Sequence, residues 1–186
     1  MKTDTILAAT MYRGTITQIS VSVTVSDGIG IHLVGLPDAP VKELLLRVVT
    51  AMQSCGYGIP GKKIVVQFCE LGRAAGLSTE VARRREALSA LDLAVALQLL
   101  ISTGQVPALP RTCERLFIGE LGLDGSIRPP YMGFGSPDDA AAVLDHQLHY
   151  GFGAVAGWRT WAGGLSVWKE FGNLADIIEA IKSNNL

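Results

Sequence analysis

Val34-Gly35-Leu36-Pro37-Asp38 runs into an apolar-striped segment, Val41 to Ser54, and then into Gly56-Tyr57-Gly58-Ile59-Pro60-Gly61-Lys62-Lys63. The order is strand, capped helix, glycine turn, strand. Asp38 is placed to accept from an orphan N–H at the helix start, and Pro40 sits in the first turn, where its missing donor costs nothing. Val41, Leu44, Leu45, Val48, Val49 and Met52 share one stripe while Lys42, Glu43 and Arg47 lie off it, so the helix packs on a sheet. Gly56-x-x-x-x-Gly61-Lys62 fits a phosphate loop up to its last position, where Lys63 replaces the Ser or Thr that would hold magnesium. The context is reversed too: a phosphate loop leaves a strand and opens a helix, and here a helix ends and a strand begins. Gly56, Gly61 and Lys62 therefore read as a decoy, Gly56 as a helix C-cap and Pro60-Gly61 as a turn.

Outward from this unit the period keeps switching. Ile16, Ile19, Val21, Val23 and Val25 alternate as a long strand, and Ile29 to Val34 reads as its hairpin partner across Asp27-Gly28. Ile64 to Phe68 reads as a buried strand. Glu70 to Glu86 has loop composition, and Ala87 to Thr103 is a helix apolar nearly all round, ended by Gly104. Leu116-Phe117-Ile118 is a third buried strand, followed by an Asp-Gly hairpin over residues 119 to 128. The remainder reads as a helix over Asp138 to Tyr150, a strand near Ala154, a segment with Trp158, Trp161 and Trp168, and a helix from Leu174 to Lys182. Such a mixture without regular βαβ alternation predicts an α+β fold, helices packed on a mixed sheet.

At 186 residues, 48% of them hydrophobic, the chain suits one domain spanning residues 1–186. No apolar run reaches the ~18 residues of a membrane span, and Met1 to Asp4 opens no secretory signal, so no membrane partner is expected. Three unpaired cysteines, Cys55, Cys69 and Cys113, suit a reducing cytoplasm. A net charge of −1 supplies no general field for nucleic acid, so any such contact must come from a local patch.

Four motifs in order, Val34 to Glu43, Gly56-Tyr57 with Pro60 and Lys63-Ile64, Leu91-Asp92-Leu93 with Ala94, Ala96 and Leu97, and Gly119-Glu120-Leu121-x-Leu123-x-Gly125-x-Ile127-Arg128-Pro129, resemble the N-terminal domain of the ComM/YifB proteins, a magnesium chelatase-like family. The resemblance covers about residues 6 to 130 and weakens beyond. It implies the fold of the Lon proteolytic domain, shared with domain 2 of a small-subunit ribosomal protein. That fold hosts unrelated activities. ComM/YifB proteins carry an AAA+ ATPase module after this domain, which residues up to Leu186 do not contain; Asn184-Asn185-Leu186 reads as a natural end, favouring a free-standing form. The family's loop motif is replaced by Glu70 to Glu86 with its arginine run, and only Leu91-Asp92-Leu93 is kept.

The resemblance raises peptide hydrolysis, because Lon enzymes pair a serine with a lysine. Ser89 falls near the nucleophile's place, yet no lysine occurs from Leu116 to Val167, where the base belongs; Asp138, Asp139 and Asp145 stand there instead. A serine with no base in reach attacks amides poorly. Ser89 is thus the weak candidate of a degenerate Lon-type peptidase, against the plainer reading of a helix-start serine. Arg83, Arg84 and Arg85, with Arg73 upstream, form the basic cluster, a solvated face or a nucleic-acid contact. The Lon-like domain of RadA proteins and the role of ComM in DNA processing, both implied by resemblance, point to DNA. His146 and His149 could face one metal, but the third ligand is missing and His32 is remote, so no metal and no cofactor is expected. The tryptophans suit a core gap, an oligomer contact or a stacking platform. The expectation is a non-catalytic Lon-like domain for assembly or partner contact, with a second copy, a separately encoded AAA+ ATPase or DNA as partner. Chelation of magnesium into a porphyrin attaches only to the family label.

Overall fold

The computed structural model describes residues 5–12, 15–35, 38–70, 77, 88–109, 115–128, 153–154 and 171–186. Over these residues the architecture is α+β. A six-stranded mixed sheet has the order β3-β4-β2-β1-β5-β8, made from β1 (Thr5–Tyr12), β2 (Thr15–Ser26), β3 (Gly30–Val34), β4 (Lys63–Glu70), β5 (Arg115–Leu116) and β8 (Gly153–Ala154). β6 (Glu120–Leu121) and β7 (Ile127–Arg128) pair as a separate hairpin. The helices are α1 (Asp38–Ser54), α2 (Asp92–Ser102) and α3 (Leu174–Lys182).

β2 is the organiser. Ile19, Val21 and Val23 bury one face of it, and it pairs antiparallel with β1 from Ser22↔Thr5 to Thr15↔Tyr12 and with β4 from Ile19↔Glu70 to Ser26↔Lys63. The expected β2–β3 hairpin does not form: β4 lies between the two strands, antiparallel to β2 and parallel to β3 from Gly30↔Lys63 to Val34↔Gln67. The Asp27-Gly28 turn instead steps over the start of β4. The Asp27 carboxylate accepts from the Lys62 ammonium at 2.8 Å, and a Cβ at Gly28 would stand 3.1 Å from that of Lys63. In the inner position β4 has its backbone donors and acceptors paired on both edges, while Ile64, Val66 and Phe68 are buried on one face of the sheet. β3-α1-β4 is therefore one βαβ unit.

β1 has no counterpart in the sequence reading. Ile6, Ala8, Ala9 and Thr10 are all buried, and because the consecutive residues Ala8, Ala9 and Thr10 point to opposite faces, the alternation that betrays a half-exposed strand is absent.

α1 buries Leu44, Val48, Ala51 and Met52 and leaves Lys42 and Leu46 outside. Asp38 is its first residue, one position inside the expected cap, with Pro40 in the first turn. It ends as expected at Gly56, whose φ of 82° lets Gly56 N–H donate to Gln53 O at 3.0 Å and Tyr57 N–H to Met52 O at 2.9 Å. α2 starts at Asp92, not Ala87. A separate helical turn at Leu88-Ser89 precedes it, because Gly119 occupies the approach: Leu93 N–H donates to Gly119 O at 3.1 Å and Gly119 N–H to Ala90 O at 3.2 Å. Every residue of α2 from Asp92 to Leu100 is buried, against β1, β2 and α1. The expected third strand, Leu116 to Ile118, is paired only over Arg115–Leu116, parallel to β1, with Phe117 N–H donating to Leu7 O at 2.8 Å.

α3 matches its expected bounds. Leu174, Ile177, Ile178 and Ile181 face the core, and the Asn173 side chain accepts from Ala175 N–H at 2.8 Å as a true N-cap. Among the described residues no helix is long and apolar enough to cross a membrane. The expected helix over Asp138 to Tyr150, the three tryptophans, Cys113 and nearly all of the Glu70 to Glu86 loop lie outside the described residues.

Candidate functional site

Asp92 is the single charged residue between Leu88 and Leu109. A lone acid on an otherwise apolar helix has to find a partner, because an unpaired buried carboxylate is far too costly. The partner comes from the exposed shoulder of α1. Arg47 reaches across with its fork, Nε to Asp92 Oδ2 at 2.7 Å and Nη2 to Oδ1 at 3.0 Å, while Nη1 donates to Glu43 Oε1 at 2.8 Å one turn back on the same helix. Leu121 N–H, from the β6–β7 hairpin, donates to Asp92 Oδ2 at 3.3 Å. The carboxylate is fully buried and the guanidinium side chain 16% exposed. One ion pair thus ties α1, α2 and the hairpin together.

Burial drives the Asp92 carboxyl upward, and the Arg47 fork and the Leu121 N–H pull it back, leaving it raised to about 7; nearby Glu120 adds a small push in the same upward direction. For Arg47, burial opposes the charge, but the bonds and charges of Asp92, Glu43 and Glu120 outweigh it and hold the guanidinium more firmly protonated. Both carboxylate oxygens are engaged, which makes this a positioning contact rather than a base. The sequence reading quoted Asp92 only as part of a motif and Arg47 only as an off-stripe residue; the signal that could have joined them was the isolated acid on α2.

The glycine turn after α1 is the second site. Gly56 and Tyr57 N–H close the helix cap, Lys62 N–H donates to Pro60 O at 2.7 Å, and Gly58 is held on both sides by the Gln105 amide: its N–H donates to Oε1 at 3.2 Å, and Nε2 donates to its carbonyl at 2.9 Å. The Lys62 ammonium is turned to Asp27. Lys182 of α3 lies 5.7 Å from the centre of the Tyr57 ring and pairs with Glu179 at 2.8 Å, and the Glu179 bond, then Tyr57, raises its pKa. Gly125, at the hairpin turn, packs its Cα side against Cys55 and Ser54, and Leu174 N–H donates to its carbonyl at 2.8 Å.

Ser89 lies in the helical turn ahead of α2, 6% exposed. His32 is exposed on β3, in register with Val65 of β4. Arg73, Arg83, Arg84 and Arg85, His146, His149, and Asp138, Asp139 and Asp145 lie outside the described residues. Among the described residues no three His, Cys, Asp or Glu side chains gather as a metal site, and Cys55 and Cys69 are thiols.

Comparison with known proteins bears on the region that holds these sites. The family model described as subunit ChlI of Mg-chelatase matches residues 21–133. The uncharacterized protein YifB of Escherichia coli is 36% identical over 111 residues, 59% of this chain and 20% of the relative. YifB of Salmonella typhimurium is 35% identical over the same length, and an uncharacterized protein of Mycobacterium bovis is 34% identical over 112 residues, 60% of this chain and 20% of its own. The chain spans about a fifth of the length of these curated relatives. The match takes in Arg47, Asp92, the glycine turn and the hairpin, and stops before α3.

Proposed function

Because this chain belongs to the family of subunit ChlI of Mg-chelatase, with YifB proteins among its relatives, we propose that it is a non-catalytic Lon-like domain that works in the cytoplasm by assembly and partner contact. The partner class is an AAA+ ATPase of the kind that ComM/YifB proteins carry, or a second copy of this domain. The observation that supports this reading is how its reactive-looking groups are used. The glycine turn spends its Gly56, Tyr57, Gly58 and Lys62 N–H groups on the protein's own carbonyls and on Gln105, and Lys62 is paired with Asp27. A phosphate cradle needs those donors convergent and available. The rival, a degenerate Lon-type peptidase, needs a hydroxyl that substrate can reach, and Ser89 is almost wholly buried.

The test is a titration of the purified chain with a fluorescent ATP analogue and, in parallel, a fluorogenic peptide assay. No saturable nucleotide binding and no cleavage are expected, while the chain should change the ATPase rate of an added YifB-type AAA+ module. Binding lost on Lys62→Ala, or cleavage lost on Ser89→Ala, would overturn the reading. DNA remains the second class of partner, supported by the Arg83-Arg84-Arg85 run with Arg73; affinity that falls steeply with salt, and falls again when the trio becomes alanine, supports it.

A further inference from the structure

β3 ends the six-stranded sheet, and among the described residues its ladder partner is β4 alone. An edge strand exposes a row of backbone donors and acceptors, and proteins that must stay single guard such edges with charges, prolines or bulges. Among the described residues the strand itself carries no such guard. From Gly28 to Leu36 there is no charged residue and no proline, and two large apolar side chains stand in water at its ends, Ile29 at 87% and Val34 at 50% exposure. At its start Asp27 and Lys62 pair with one another, and the remaining charge, Lys63, stands on the neighbouring strand β4 opposite Gly30 and not on the free edge.

From these observations we propose that two copies of this chain join edge to edge through β3, the strands running antiparallel about a two-fold axis at His32. The inference rests on the assembly reading and gives it a surface. The occupant is a second copy because a two-fold axis sets this strand against the same strand: a strand of one charge sign would repel itself there, and the stretch from Gly28 to Leu36, with no Asp, Glu, Lys or Arg, does not. The register is also self-complementary. With His32 opposite His32, Ile31 meets Leu33, and the two exposed bulky residues each meet a glycine, Ile29 against Gly35 and Val34 against Gly30. The sheets of the two copies then continue as one. The chain's net charge of −1 adds little repulsion between them.

Sedimentation velocity on the full chain, from about 10 µM to about 1 mM, covers the range expected for so small an interface. The wild-type chain should form a dimer with rising concentration, and Ile29→Lys and Val34→Lys should each weaken it at least tenfold with an unchanged thermal midpoint. Both positions are exposed, so neither variant threatens the fold. His32→Cys should give a disulfide-linked dimer on mild oxidation, well above the background of the wild-type thiols, while Leu46→Cys, exposed on α1, should not. Association indifferent to both lysines, or cross-linking no faster at position 32 than at 46, overturns the edge pairing. A monomer at every concentration overturns it too, and leaves contact with an AAA+ module to be judged by its own ATPase assay.

Discussion

Arg47→Met tests the junction that ties α1, α2 and the hairpin together. The substitution keeps the aliphatic stem, which packs where Arg47 is 16% exposed, and removes the fork that engages both oxygens of Asp92. What remains is a fully buried carboxylate with the Leu121 N–H as its described donor. Breaking a buried pair from one side costs ~3–5 kcal/mol, or roughly 6–20 °C in melting midpoint for a chain of this size. Asp92→Leu should cost less, about 1–3 kcal/mol, because it orphans one amide while Arg47 keeps Glu43 at 2.8 Å. Adding Arg47→Met to Asp92→Leu should then cost little, giving a coupling of at least ~2 kcal/mol between the two sites. The pH dependence fixes the sign. The folded-state pKa of Asp92 is raised by burial to about 7, so the contribution of its titration to stability is fully present below the unfolded carboxyl pKa and is lost as pH rises through about 7. Without Arg47 the pKa moves higher still, so the deficit of the variant should be smaller near about pH 5 than near about pH 8. Urea unfolding followed by far-UV circular dichroism at both pH values reads all of this. Equal costs of Arg47→Met in the wild-type and Asp92→Leu backgrounds, or a deficit that grows on acidification, would refute the reasoning.

Three further outcomes follow from single contacts. Gly119→Ala places a Cβ 2.8 Å from Ile127 Cγ2 and 3.4 Å from Leu93 Cδ2; the strain should cost about 1–3 kcal/mol and shrink in an Ile127→Ala background, as measured by urea midpoints. Asn173→Ala removes the cap of α3 and should lower stability by about 1 kcal/mol, with Asn173→Ser recovering most of it in a thermal melt. Gln105→Ala deletes both bonds to Gly58 and should cost about 1–2 kcal/mol; the rise in hydrogen exchange should be confined to the Gly56–Gly61 turn, and a global rise would contradict the local role assigned to Gln105.

How much was legible depended on whether an element has a wet face. α1, α3 and β2 alternate or stripe because water touches one side of each, and their positions were read to within a few residues. β1 and the insertion of β4 between β2 and β3 were not legible, for opposite reasons. β1 is dry on both faces and so has no period, while the Asp27-Gly28 signal describes a local turn and says nothing about which strand lies alongside. The cap at Gly56 was legible because a positive φ selects glycine locally. The Arg47–Asp92 pair was not, since it joins positions 45 residues apart and neither residue alone reveals its partner.

The boundary of the family match carries a structural consequence for the end of the chain. α3 lies beyond residue 133, yet it docks on the matched hairpin, and the described bonds that hold it there are largely backbone ones: Ile127 N–H to Gly172 O at 2.8 Å, Leu174 N–H to Gly125 O at 2.8 Å, and the bridge Ser126↔Asn173. Backbone docking asks little of the receiving side chains beyond a glycine at 125 that leaves room against Cys55 and Ser54. A core organised by the Arg47–Asp92 junction can therefore accept a C-terminal helix whose sequence is its own, provided that helix brings an N-cap and an apolar face of the Leu174, Ile177, Ile178 and Ile181 kind. Replacing α3 by an unrelated amphipathic helix with the same four apolar positions and Asn173 retained should preserve the melting midpoint to within a few degrees. Loss of folding in that chimera would show that α3 docks through side-chain complementarity instead.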